Sequence, residues 1–259
     1  MRQFFSNIAV AFSMYSKIPV PQADWTRDNM KYSLCFFPLV GVVIGLLEFG
    51  WYHFAAAVSL GTVFRSAVMT VIPVIVTGGI HVDGLLDTSD ALSSWREREK
   101  RLEILKDSHA GAFAVIIGIV FFITVFGAAS EVSFRILPVV CLCFPMARAL
   151  SALSVNYFPN ANPKGTAEVF RKNAEKRTVG ISSAAAAAAC GALAVWAAPV
   201  PGLLMILAAM LMILIYHHVA MKYFGGITGD LAGFFLCICE LASLIAAAAG
   251  DKIVRLIMI

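Results

Sequence analysis

The sequence predicts an all-α, polytopic integral membrane helical bundle with about seven transmembrane helices and a cytoplasmic N-terminus. Three observations carry that prediction. Of 259 residues, 60% are apolar and only 14% are charged, where soluble domains carry about 25% charged residues. A water-soluble fold of this size would leave much of that apolar surface wet. The apolar residues also gather into runs near the length a helix needs to cross about 30 Å of hydrocarbon. Finally, Lys and Arg alternate between inter-span segments, fifteen on one side and four on the other, which sets the orientation by the positive-inside bias.

The chain reads as a single membrane domain over 1–259. Residues 1–32 form an N-terminal interfacial arm: the stretch is apolar through Ser16 but lacks a long clean core and a small-residue cleavage site, so no signal peptide is expected. The first span, 34–54, contains Glu48. The second, 66–82, reaches span length only by including Ser66 and the Gly78-Gly79 pair. Residues 91–109, with Arg96, Arg98, Lys100, Arg101 and Lys106, form a cytoplasmic loop. Spans 110–130 and 134–155 follow, the latter holding Arg148. A second cytoplasmic loop, 156–178, carries Lys164, Arg171, Lys172, Lys176 and Arg177. Spans 179–199, 202–221 and 231–249 complete the bundle, and the Ala184–Ala189 run is expected to let helices approach closely. Six cysteines fall inside apolar runs without CxxC spacing and read as packing residues. A net charge of only +4 gives no reason to expect a nucleic-acid partner. The lipid bilayer is the partner that the composition requires.

Most acids that could do chemistry follow the basic loops to one side. In His81-Val82-Asp83-Gly84-Leu85-Leu86-Asp87-Thr88-Ser89-Asp90, a helix would stack Asp83, Asp87 and Asp90 at i, i+4 and i+7 on one face. Three like charges near a membrane interface repel unless a cation sits among them. Oxygen ligands without thiolate favour Mg²⁺ over zinc. The alternative is a solvated acidic helix end balanced by Arg96 and Arg98. A second cluster, Gly225-Gly226-Ile227-Thr228-Gly229-Asp230, opens the last span, where glycines admit a close phosphate or helix and Thr228 or Asp230 could cap. Glu240 lies well inside the apolar run that follows, and an intramembrane carboxylate is a functional candidate by default. Lys106-Asp107-Ser108 and Arg148 add the cations that a phosphate-bearing substrate calls for.

These landmarks, together with Lys17-Ile18-Pro19-Val20-Pro21 and Phe37-Pro38-Leu39-Val40-Gly41, occur in an order that resembles the adenosylcobinamide-GDP ribazoletransferases, also called cobalamin synthases. The resemblance implies an integral membrane, Mg²⁺-dependent transferase joining adenosylcobinamide-GDP to α-ribazole or its 5′-phosphate, with release of GMP. It implies corrinoid nucleotide and α-ribazole substrates, an inner-membrane location with the site facing the cytoplasm, and is compatible with a homo-oligomer. On that reading Asp83, Asp87, Asp230 and Glu240 hold metal. Asp90 or Asp107 serves the attacking hydroxyl, and Lys106 and Arg148 contact phosphate. His81, Gly84, Ser108, Gly226, Thr228 and Gly229 line the substrate. Two departures stand out: His109 replaces the usual Arg, and Phe235, Leu236 and Cys237 stand where family members often carry polar or acidic residues.

Two other readings fit less well. A CDP-alcohol phosphatidyltransferase would need Ala-Arg where Asp87 and Thr88 stand. A cation-coupled transporter would want related halves and mid-bilayer charges, whereas most of these acids gather at one face.

Overall fold

The computed structural model describes residues 2–21, 24–107 and 109–258. Among them the chain forms α1 (Arg2–Tyr15), α2 (Arg27–Met30), α3 (Ser33–Ala57), α4 (Thr62–Thr77), α5 (Ile80–Ser93), α6 (Arg98–Ile104), α7 (Ala112–Ser130), α8 (Leu137–Tyr157), α9 (Thr166–Asn173), α10 (Lys176–Ala197), α11 (Pro199–Val219), a π-helical turn (Ala220–Phe224) and α12 (Gly229–Ile257). Six helices are long and apolar enough to cross a membrane: α3, α7, α8, α10, α11 with its π-helical turn, and α12. The α4–α5 pair supplies a seventh if taken as one broken span.

Successive crossings alternate between two ends. One end gathers the basic segments: residue 31 bonds to 175, 90 to 111, and 161 to 227. At the other, the Tyr52 hydroxyl donates to Val132 O and the Ser133 hydroxyl to Asp251. We call these the basic and the opposite face. Helix α8 runs through the centre and is buried along most of its length, with α3, α10 and α12 around it.

Three features differ from the sequence reading. The span expected over 66–82 is broken, and α4 and α5 meet at 94°. Gly78 (φ 65°) and Gly79 (φ 80°) both adopt the left-handed region, and their amides close onto Ile75 O and Val74 O, which ends α4. The two basic loops contain short helices, α6 and α9; in α9, Ala167 and Phe170 turn into the core, an amphipathic pattern too short to register against the surrounding charge. The Ala184–Ala189 run is largely exposed. The close approach in that hairpin is instead Gly202 against Ala194. Helix α1 packs its Phe4 and Tyr15 rings on Phe36 and Phe37 of α3, and all six cysteines are free thiols, four of them buried.

Candidate active site

The acids of α5 meet the start of α12 through a close helix crossing. A Cβ on Gly84 would lie 2.5 Å from Asp230 O, and one on Gly233 would lie 3.1 Å from His81 O. Two helices can approach this closely only where one of them lacks side chains. The crossing sets Asp83 and Asp230 on one cavity of about 270 Å³, shared with His81, Ser151, Thr166 and Gly229. Thr228 caps α12: its hydroxyl oxygen accepts from Leu231 N at 3.2 Å, and the hydroxyl lies 3.4 Å from Asp230 Oδ2.

Asp87 stands one turn further along α5, beyond the apolar run 66–82 and between Gly84, which meets α12, and Asp90, which meets α7. Burial, then the charges of Asp83, Asp230 and Asp90, push its carboxyl up to about 6. Four carboxylates from two stretches of sequence, α5 and the start of α12, therefore act on one another at the basic face. Among the described residues, no three His, Cys, Asp or Glu side chains close into a metal cage. An ion here would be held by one or two carboxylates and completed by other oxygens, the usual arrangement for Mg²⁺.

Asp90 is already committed. Its two carboxylate oxygens accept from Gly111 N at 2.6 Å and Ala114 N at 2.8 Å, so it caps α7 from a different helix. Asp107 lies in the exposed segment between α6 and α7, where hydrogen bonds from the His109 ring (2.8 Å) and amide (3.0 Å) hold its carboxyl below the usual carboxylate range. Lys106 is exposed beside it; Ser108 lies outside the described residues. Gly226 packs on the backbone of Pro159–Ala161, where Ile227 N donates to Pro159 O and Ala161 N to Ile227 O. That contact by itself requires a small residue there. The Arg98 guanidinium lies over Gly225, just ahead of α12.

Arg148 and Glu240 are not where the metal and phosphate expectation puts them. They form an ion pair of 2.6 Å inside the bundle, Arg148 is 0% exposed, and it also donates to Phe144 O at 3.0 Å. Glu240 stands ten residues beyond Asp230 on α12, about 15 Å away at 1.5 Å per residue. The physical reason is pairing: a charge inside the apolar bundle is tolerable beside its opposite, and these two find each other. With Glu48 and His81 they line a separate cavity of about 60 Å³. There, among the described residues, both Glu48 oxygens and His81 Nε2 have no hydrogen-bond partner. His81 borders both cavities.

The sequence reading gave Lys17 and Glu48 no role, yet both border a cavity. Lys17 shares one of about 540 Å³ with Gly78, Gly79 and Asp83. Glu48 carried a visible signal, a lone acid in an apolar run. For Lys17 only its place in the Lys-Ile-Pro-Val-Pro landmark could have marked it.

The family model described as cobalamin-5-phosphate synthase matches residues 7–248. An adenosylcobinamide-GDP ribazoletransferase of Lachnoclostridium phytofermentans is 40% identical over 254 residues, covering 97% of each chain. One from Clostridium botulinum (strain Alaska E43 / Type E3) is 31% identical over 255 residues, 95% of this chain and 98% of the other. No solved structure matches. With a family match over nearly the whole chain and relatives aligned along almost their full length, the chain belongs to the cobalamin-5-phosphate synthase family.

Proposed function

We propose that this membrane transferase of cobalamin synthesis transfers the corrinoid phosphoryl group of adenosylcobinamide-GDP to α-ribazole or its 5′-phosphate, releasing GMP. The observation that carries this reading is the cavity shared by Asp83 of α5 and Asp230 of α12, beside a half-buried Asp87 on which the charges of Asp83, Asp230 and Asp90 act. Such a site gains most from a ligand that brings positive charge to the carboxylates and oxygen atoms to the cation.

In the reaction, the hydroxyl oxygen of the ribazole bonds to the corrinoid-side phosphorus. The bond from that phosphorus to the bridging oxygen breaks, GMP leaves with the electron pair, and the hydroxyl proton passes to a carboxylate. A bound Mg²⁺ would neutralise the diphosphate and stabilise the leaving group. Asp83 and Asp230, which share one cavity, are the residues that would hold it, with Asp87 adding negative charge one turn away and Thr228 orienting the Asp230 carboxylate. Asp107, steadied by His109, receives the proton, since both Asp90 oxygens are engaged by α7. Lys106 neutralises phosphate from the same segment. Arg148 and Glu240 brace α8 against α12 from within and stay off the reacting atoms. The site opens on the basic face, which the positive-inside bias assigns to the cytoplasmic side of the inner membrane.

The test is direct. Membranes containing the protein receive adenosylcobinamide-GDP, α-ribazole 5′-phosphate and Mg²⁺, and GMP and corrinoid product are measured. Turnover that is lost in Asp83→Asn and Asp230→Asn, with membrane insertion unchanged, is expected. Folded protein without turnover, or near-normal rates in both variants, would refute the reading.

A further inference from the structure

A carboxylate site that binds a diphosphate gains from each cation the protein supplies: Lys106 offers one from the segment between α6 and α7, while Arg148 is sealed in the interior against Glu240. Lys17 offers a second, from another cavity that Asp83 borders. The backbone around it is fixed: Lys17 N donates to Val76 O at 2.8 Å, and the Ser16 hydroxyl donates to Phe12 O and accepts from Ile18 N. Its stem is fixed too. Gly78, left-handed at φ 65°, carries no Cβ where one would lie 2.5 Å from Lys17 Cγ and Cε, so the methylenes cross the α4–α5 turn. Among the described residues Lys17 makes no ion pair, and it lines the roughly 540 Å³ cavity with Gly79, Ile80 and Asp83. A lysine held along its backbone and stem keeps more of its binding energy than a free surface lysine, because less rotamer entropy is lost on contact.

We propose that Lys17 is a phosphate-contacting residue, its ammonium neutralising a diphosphate oxygen of the nucleotide-bearing substrate in the cavity it shares with Asp83, next to the one Asp83 shares with Asp230. Asp83 then borders two subsites: the anion in the Lys17 cavity, and the cavity that it shares with Asp230. This rests on the diphosphate-transfer reading above and adds to it where the substrate charge is met.

Lys17→Met keeps the stem on Gly78 and removes the charge; Lys17→Arg keeps the charge. With the full-length protein in detergent or nanodiscs, Lys17→Met is expected to raise KM for adenosylcobinamide-GDP about tenfold or more, the loss for one charge-assisted contact, with KM for the ribazole unchanged. Lys17→Arg should stay within about threefold of the parent, because the positive charge beside the phosphate oxygen is kept. Binding of inorganic pyrophosphate with Mg²⁺, read without turnover, should weaken by the same factor in Lys17→Met and not in Lys252→Met, whose lysine pairs with Glu131 at the opposite face. Should Lys17→Met fail to fold, Lys17→Gln carries the same comparison. Unchanged KM and unchanged pyrophosphate affinity in the neutral variant overturn the proposal. Pyrophosphate binding that depends on Lys17 in a protein with no transferase turnover would support the subsite and reject the proposed reaction.

Discussion

A Cβ on Gly84 would lie 2.5 Å from the carbonyl oxygen of Asp230 and 3.0 Å from its Cα, so the missing side chain at Gly84 sets how closely the helix bearing Asp83 and Asp87 approaches the helix bearing Asp230. Gly84→Ala forces those backbones apart. Overpacking of this kind costs about 1–3 kcal/mol, and displacing reacting groups by about 1 Å can cost about a hundredfold in rate. The expected outcome is a folded, inserted protein with transferase activity down about a hundredfold. Near-parental activity would show that the crossing does not set the site.

Asp87 gives a pH signature. Its carboxyl, pushed up to about 6 in the folded protein, keeps its proton between about 4 and 6, where the unfolded chain has lost it. The folded state then binds more protons, so this group's contribution to stability falls as pH rises through that window. In metal-free protein, Asp87→Asn should flatten the decline of Tm between pH 4 and 6.5 and raise Tm at neutral pH. An unchanged slope would mean that burial and the neighbouring acids do not raise the Asp87 carboxyl.

The Arg148–Glu240 pair should behave as a buried brace. Removing one partner leaves an uncompensated charge in the bundle and costs about 3–5 kcal/mol, whereas replacing both with apolar residues of similar volume is often neutral. Arg148→Ala should lower folded yield and Tm sharply, and Arg148→Met with Glu240→Leu should recover most of that loss. A double variant no more stable than the single one would point to a role beyond pairing.

Asp90 can be tested as a cap against its expectation as a base. Serine accepts amide hydrogen bonds at a helix start but cannot take a hydroxyl proton at neutral pH. Asp90→Ser should therefore retain most activity, while Asp90→Ala loses about 0.5–2 kcal/mol of stability. A collapse of kcat in Asp90→Ser with unchanged Tm would restore the base assignment.

Composition and hydropathy alone determined the helical membrane class, most spans to within a few residues, the segregation of basic segments to one end, and the helical face that stacks Asp83, Asp87 and Asp90. These are local properties, written in runs and periods of neighbouring residues. Tertiary structure decided the partners: that Asp230 meets Gly84, that Arg148 takes Glu240 92 positions away, that Asp90 caps a helix beginning 22 residues later, and that Lys17 lies along Gly78. Each follows from which surfaces the bundle presses together. An apolar run says that a helix is buried in lipid or protein but not which neighbour it faces, so a charge within it has no identifiable counterpart until the helices are packed.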